Sequence, residues 1–449
     1  MAKRDRISNL PVCLIYHIFS FLHVYNVVQT CVLSKYWRNI WHSSHSFRID
    51  NLEFREHPIM KSISFEKFVD FLLLTRGGSS IHKFSAFIAP DHEPPSEAKA
   101  IYDHDTDKVH SWIIHPLRHN VQVIDISSYI CVPPLIFSCE SLRELSLCVM
   151  ANEFEFPPWV NLPSLKVLHM YEALFHACDD TLFSSMPCLE TLKLEDCEFN
   201  QNRLLISTPK LRILMMTVTF RVPIEISIVA PNLKCFKLGP SCCYSAINSL
   251  RFKDNCTQLV NVDIEVPLSC SQSMIGLFTV LRNTSSLKLS AAFLKSFTRK
   301  LRKGMCVEDC IKTPFPNLTH MELTTAFSDD EALVINKILY HSPCIEVLRI
   351  AMDGRRRTVV TVGGSSAADD VWSKFKLSRL KLVEINDFQA TENQISFVKF
   401  LLENALVLED LIIAAATAYK SNNRQEMRKI GQELRMYPKA SPTVVMQFG

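Results

Sequence analysis

Residues able to do chemistry occur in this chain mostly as isolated pairs. Cys306 and Cys310 stand four apart, and Cys242 and Cys243 are adjacent. A structural zinc site needs four ligands, usually as two such pairs, and neither pair has a second at metal spacing. His42 with His45, and His115 with His119, stand at spacings that bring two imidazoles to one helix face. No carboxylate or water-activating group joins them in a recognisable pattern, so they read as core or surface histidines. There is no Walker loop, dinucleotide fingerprint or Gly-x-Ser-x-Gly elbow. Only 10 of 449 residues are glycine, which also disfavours phosphate-cradling loops. The expectation is a protein that is not an enzyme, with no catalytic residue, no metal and no cofactor. Arg299-Lys300-Leu301-Arg302-Lys303 fits a solvated helix face better than a nuclear address.

With no reactive constellation, function must lie in surfaces and in the elements that present them. Apolar residues make up 47% of the chain, enough for a sizeable core. The formal charge of +3 gives no global attraction to nucleic acid or to an anionic membrane. The 16 cysteines are scattered through apolar contexts, as in Leu147-Cys148-Val149, and read as buried thiols of a reducing, intracellular compartment, cytoplasmic and/or nuclear. No secretory signal is expected after Met1-Ala2-Lys3-Arg4-Asp5-Arg6. Residues 11–33 are apolar-rich, but His17, Ser20, His23, Asn26, Gln29 and Thr30 interrupt them, so no membrane span is expected.

One phrase recurs along the chain, Pro-x-Leu-x-x-Leu-x-Leu with apolar substitutes. Pro163-Ser164-Leu165-Lys166-Val167-Leu168-His169-Met170 is one copy and Pro187-Cys188-Leu189-Glu190-Thr191-Leu192-Lys193-Leu194 is the next. Others start at Pro209, Pro231, Pro316 and Pro343, and copies without proline start at Leu142, Leu259, Leu380 and Leu408. The first apolar positions 142, 165, 189, 211 and 233 are 23, 24, 22 and 22 residues apart, inside the roughly 20 to 29 residue period of leucine-rich repeats. In x-Leu-x-Leu the two apolar side chains share one face of a strand. A single unit cannot bury that face, but stacked units can, as a curved parallel sheet with helices or turns on the convex side. Between copies, Ser328 with Glu331 is a capping box, Val334, Ile338 and Leu339 follow at helical spacing, and Ser342-Pro343 ends the helix. A second helix is expected over 272–282, and connections as short as 195–208 leave room for a turn or a brief helix. The leucines are core. The alternate x positions face outward on the concave sheet, which makes His169, Lys193, Lys237, Glu322 and Arg349 the candidate target-facing residues.

Residues 5–46 do not follow the repeat. Leu10-Pro11 opens a helix whose stripe is Leu14, Ile15, Ile18, Phe19 and Leu22; a second carries Val24, Val27, Val28 and Cys31; a third, with Ser34 as N-cap, carries Trp37, Ile40 and Trp41. So short a segment has too little interior for three apolar faces, so part of the surplus packs on the adjoining repeats or on a partner. Asp5-Arg6-Ile7-Ser8-Asn9-Leu10-Pro11, Ile18-Phe19-Ser20-Phe21-Leu22, and Thr30-Cys31-Val32-Leu33-Ser34-Lys35-Tyr36-Trp37-Arg38-Asn39-Ile40-Trp41 resemble an F-box. Lys399-Phe400-Leu401-Leu402-Glu403-Asn404-Ala405, and the stretch from Glu433-Leu434-Arg435 to Ser441-Pro442, resemble the FBD pattern. With the repeats between them, most of the chain resembles the plant family that combines an F-box, leucine-rich repeats and an FBD domain.

That resemblance implies an α/β architecture with three parts: an F-box over 1–50, an irregular solenoid over 51–374 with loops at 89–108 and 353–370, and an FBD-like cap over 375–449. Thr391 with Gln394 is a capping box within that cap, and strands are expected around Leu380–Ile385, Leu408–Ile413 and Thr443–Phe448. The resemblance also implies docking on a Skp-type adaptor of a cullin ligase through Leu10, Pro11, Ile15, Ile18, Leu22, Val28, Leu33 and Trp37, with an unknown protein substrate held by the repeats. The alternative is a repeat scaffold for protein interaction with no role in ubiquitination.

Overall fold

A computed structural model describes the chain except residues 1–6, 8–9, 59, 61–62, 77, 90–102, 150–155, 158, 176–180, 241–246, 254–255, 269–270, 354–371, 373–374 and 417–423. The predicted loop 353–370 lies almost wholly outside the described residues, as does 90–102 of the other. The last six positions of 89–108 are instead the start of a helix, Asp103–Leu117.

The repeat phrase builds the same local structure each time. The first leucine lies three residues after a turn carbonyl and donates its N–H to it: Leu165 to Leu162, Leu189 to Met186, Leu211 to Thr208, Leu233 to Ala230 and Ile345 to Ser342, at 3.0–3.3 Å. Proline therefore sits at the second position of a hydrogen-bonded turn, where its fixed φ is favourable and its missing N–H costs nothing. Leu142, Leu165, Leu189, Leu211 and Leu233 are all fully buried, each contributing about 1.5–3 kcal/mol of hydrophobic stabilisation.

The chain divides into two compact units, residues 1–201 with 207–211, and 202–206 with 212–449. In the first, strands β1 (Ser46–Asp50), β2 (Lys83–Ile88), β3 (Val123–Ser128), β4 (Glu144–Val149), β5 (Val167–Tyr171) and β7 (Thr191–Phe199) pair in parallel in that order, with β6 (Leu174–Phe175) beside β7. Three helices precede them: α1 (Val12–Phe19), α2 (Val24–Gln29) and the single turn α3 (Trp37–Ile40). Ile15, Phe19, Val27, Trp37 and Ile40 form their interior. The expected Ser34 cap is not used: α3 begins after Tyr36, and no side chain caps it. Helices α4 (Asn51–Glu56), α5 (Phe65–Arg76) and α6 (Asp103–Leu117) complete this unit's helical side.

In the second unit, β8 (Arg203–Ser207) is followed by β9 (Ile213–Phe220), β10 (Ile224–Val229), β11 (Cys235–Pro240), β12 (Ile247–Phe252), β13 (Asn261–Ile264), β14 (Ser286–Leu289), β15 (His320–Thr325), β16 (Val347–Met352), β17 (Leu382–Phe388), β18 (Asp410–Ala415) and β19 (Val445–Phe448). From β9 through β11 and β13 to β19 they form one parallel ladder. Strands β8, β10 and β12 make a separate three-stranded sheet. The return path after 195 is thus a strand rather than the expected turn or brief helix. Leu204 and Ile206, then Ile224, Ile226 and Ile228, are buried alternately, the period of a half-buried strand. Farther along the return is helical: Ser271–Val280, Ala291–Leu301, Asp329–Tyr340 and Glu392–Asn404. Both predicted capping boxes are present, Ser328 with Glu331 and Thr391 with Gln394. The last helix is Arg424–Met436.

Candidate functional site

The apolar stripe of α1 splits into two faces. Ile15 and Phe19 are buried at 1% exposure, whereas Leu14, Ile18 and Phe21, at i, i+4 and i+7, face solvent. With Ile7, Val12, Val32, Leu33 and Tyr36 they give the N-terminal module an unusual density of exposed large apolar side chains. Phe21 is 68% exposed and Val32 87%. Among the sequence-derived contacts, Pro11, Ile18 and Leu33 are exposed, and Leu10, Leu22 and Val28 are half-buried. Ile15 and Trp37 are inside the module, where Trp37 packs on Phe19 with ring centroids 5.9 Å apart; they support the surface rather than line it. Val12, Leu14, Phe21, Val32 and Tyr36 were not singled out. The signal that would have found them is apolar residues falling off the buried stripe of a short helical segment.

This module is fastened to helices α4 and α5. Tyr25 Oη donates to Glu53 Oε2 at 3.0 Å, and His23 Nε2 lies 2.8 Å from the same oxygen. Arg76, at the end of α5, donates to the carbonyls of Trp41, Ser44 and Ser80, at 2.6 Å to Ser44, and its guanidinium lies over the Phe47 ring.

The outward row of the second unit's sheet is an alternating charge ladder. In register across β11, β13, β14, β15, β16 and β17 stand Lys237, Asp263, Lys288, Glu322, Arg349 and Glu384. Lys237 is 3.5 Å from Asp263 and 3.7 Å from Glu265, Lys288 is 3.0 Å from Glu322, and Arg349 is 2.7 Å from Glu384. The Glu322 hydrogen bond raises the Lys288 pKa, and Glu384 does the same for Arg349. Burial, then the neighbouring Glu265, raises the Asp263 pKa. Lys237, Asp263, Lys288, Glu322 and Arg349 floor a groove of about 460 Å³, bordered by Ile213, Met215 and Val347. In the first unit, His169 and Lys193 are register neighbours. His169 Nε2 lies 3.5 Å from Glu195, while Lys193 has no ion-pair partner among the described residues. The structure thus places all five candidate target-facing residues on outward rows, but Lys237, Glu322 and Arg349 are engaged with their own neighbours.

The residue pairs screened for chemistry are placed in ordinary structural roles. His119 Nδ1 bonds the His115 carbonyl oxygen at 2.7 Å, and the two rings stack. His42 lies on Trp41, and His45 stacks on His82. Cys306 donates to Glu308 at 2.6 Å, Cys310 is buried with its pKa pushed up to about 11 by burial, and Cys242 and Cys243 lie outside the described residues. Arg302 of the basic run bonds Asp330 at 2.6 Å. Among the described residues, one group of ligand atoms comes together, on His23, Asp50 and Glu53. Asp50 is the N-cap of α4, accepting from Leu52 and Glu53 N–H, and Glu53 is held by Tyr25 and His23. These contacts account for the group as a helix cap and a carboxylate bonded by a phenol and an imidazole. Among the described residues no helix is long and apolar enough to cross a membrane.

Three family models match in succession: the F-box domain over residues 7–49, the LRR repeats of FBD-associated F-box protein At5g56370 over 109–251, and FBD over 376–413. F-box/LRR-repeat protein At4g14096 of Arabidopsis thaliana is 27% identical over 99% of this chain and 95% of its own. Along most of its length the chain is similar to plant F-box/FBD/LRR-repeat proteins. Another full-length relative is F-box/FBD/LRR-repeat protein At1g13570, 24% identical over 99% of this chain and 98% of its own. F-box/LRR-repeat protein 13 of Arabidopsis thaliana is 35% identical, over 42% of this chain and 41% of its own, and At1g13570 is from that plant too. The exposed apolar module is therefore the segment matched by the F-box model, β3 to β11 and most of β12 lie in the leucine-rich-repeat match, and β17, Glu392–Asn404 and the start of β18 carry the FBD match. An F-box in general docks a Skp-type adaptor, and proteins joining one to leucine-rich repeats are generally adaptors rather than enzymes.

Proposed function

We propose that this chain is the substrate-recognition subunit of an SCF-type ubiquitin ligase. The F-box, over 1–50, docks a Skp-type adaptor and through it a cullin; the repeats, over 51–374, hold a target protein; the segment 375–449 closes the array. The observation that carries the reading is the exposed apolar face of the N-terminal module. Contiguous apolar surface of this kind marks a partner site on a soluble protein, and here it lies on the segment matched by the F-box model. Pro11, Ile18 and Leu33 form the contact set with Phe21, Val32 and Tyr36, and Leu10, Leu22 and Val28 contribute their exposed edges. The chain itself catalyses nothing. It supplies proximity between a ubiquitin donor and a target lysine, which raises effective concentration rather than altering the chemistry. The setting is cytoplasmic and/or nuclear.

Proximity labelling after proteasome inhibition tests this. The full chain is expected to enrich a Skp-type adaptor and ubiquitinated proteins together, and Leu10→Ala/Pro11→Ala is expected to lose both. Enrichment of the same proteins by the double variant would favour a scaffold without a ligase role.

A further inference from the structure

On helix α5, Val69, Leu72, Leu73 and Arg76 are buried, the spacing of one inward face. Phe71 and Leu74 are three apart and so neighbours on the helix surface. They are 57% and 81% exposed. The flanks beside them are taken. On one side α6 engages the polar groups: Trp112 Nε1 donates to Asp70 Oδ1 at 2.8 Å, and Lys108 pairs with Glu66. On the other, the Phe68 ring lies 5.0 Å from that of Phe54, against a small core that includes Tyr25 of α2. At the end of the helix, Arg76 donates to the carbonyls of Trp41 and Ser44.

Helix α5 is thus joined to the N-terminal module at Phe68 and at Arg76, and Phe71 and Leu74 lie between these points along the helix. All belong to one compact unit. Yet α5 falls outside residues 7–49, the extent of the F-box match. Polar groups beside the pair are already satisfied: Asp70 by Trp112, and Thr75, whose Oγ1 donates to the Phe71 carbonyl at 2.8 Å. Covering this face therefore buries apolar surface without stranding either group.

We propose that a Skp-type adaptor docked on the F-box extends its contact onto α5, where its own apolar side chains cover Phe71 and Leu74. This rests on the reading of the F-box as an adaptor-docking module, and it adds a contact that the F-box segment does not contain. Continuity selects the adaptor as the occupant. Because α5 is held to the module on both sides of the pair, a partner seated on the module finds α5 in a fixed place, with no ordering cost at the junction. The pair stands on the helical side of the unit, whereas the target-facing residues stand on the outward rows of the strands.

Three measurements on the full chain with a purified Skp-type adaptor decide the matter. In isothermal calorimetry, Phe71→Ala/Leu74→Ala is expected to weaken the complex by about tenfold, the scale of truncating apolar contacts at an interface. Both side chains are exposed and alanine favours helix, so the thermal melt should not move. In hydrogen exchange, the amides of residues 71–76 are expected to slow when the adaptor is added. Light scattering should find the chain alone monomeric. An adaptor bound equally by wild type and double variant, or α5 amides indifferent to it, would overturn the proposal and leave docking on the F-box intact. A wild-type dimer that the double variant dissolves would overturn it in favour of a second copy. A wild-type chain that binds no adaptor would remove the ligase reading itself, and this contact with it.

Discussion

Arg76 is a buried cation that, among the described residues, has no carboxylate within ion-pair distance. Burial lowers its pKa to about 10, still far above neutrality, so it stays charged. It is held by backbone carbonyls of the F-box end and by the Phe47 ring. Arg76→Leu leaves the Ser44 carbonyl without its 2.6 Å donor, and an unsatisfied buried acceptor costs roughly 1–3 kcal/mol. Urea unfolding should show that loss, with faster proteolysis near residue 44. His115 makes a different prediction. Burial, then His119, pushes its pKa down to about 4 from 6.5. The folded chain therefore favours the neutral ring, and its share of stability is complete above pH 6.5 and lost as pH falls towards 4. His115→Gln should unfold with a shallower loss of stability between pH 7 and 5 than wild type. Arg76 was not legible in the sequence, because it acts through backbone carbonyls brought together by tertiary structure; His115 was read as a core or surface histidine, but its shifted pKa depends on tertiary context. The two capping boxes were legible because their four residues hold the whole motif.

Among the elements, strands and helices with a strong apolar period were readable in advance, down to the ends of Asp329–Tyr340 and Glu392–Asn404. Pro343 was read as a helix stop. The repeat prolines also serve as the second residue of the turn that seats each repeat's first leucine. Pro187→Ala should therefore destabilise by about 0.4–1 kcal/mol through a freer unfolded chain, measured by urea unfolding, without altering the far-ultraviolet circular dichroism. The β8–β10–β12 sheet was missed: 195–208 was read as a turn or brief helix, and the alternating run Ile224-Glu225-Ile226-Ser227-Ile228 was not assigned. The period of two was present, but connection length was given more weight than alternation. The third F-box helix, expected from a Ser34 cap through Trp41, is the single turn Trp37–Ile40, with Trp41 in the 3-10 turn that follows.

For the chain as a whole, an N-terminal F-box followed by repeats was legible from period and resemblance together. The contact set was less so. Sequence reading marks apolar positions but not which side of a three-helix module each one faces, so Ile15 and Trp37 were grouped with Ile18 and Leu33. The account depends on the outward face docking a partner, and mixing the purified full chain with a Skp-type adaptor in isothermal calorimetry tests this most directly. We predict a one-to-one complex, and Phe21→Ala or Leu33→Ala should each weaken it by about 2 kcal/mol, roughly thirtyfold, if they anchor the interface, with the thermal melt unchanged. No heat of binding at micromolar concentrations, or a complex indifferent to both substitutions, would contradict the account.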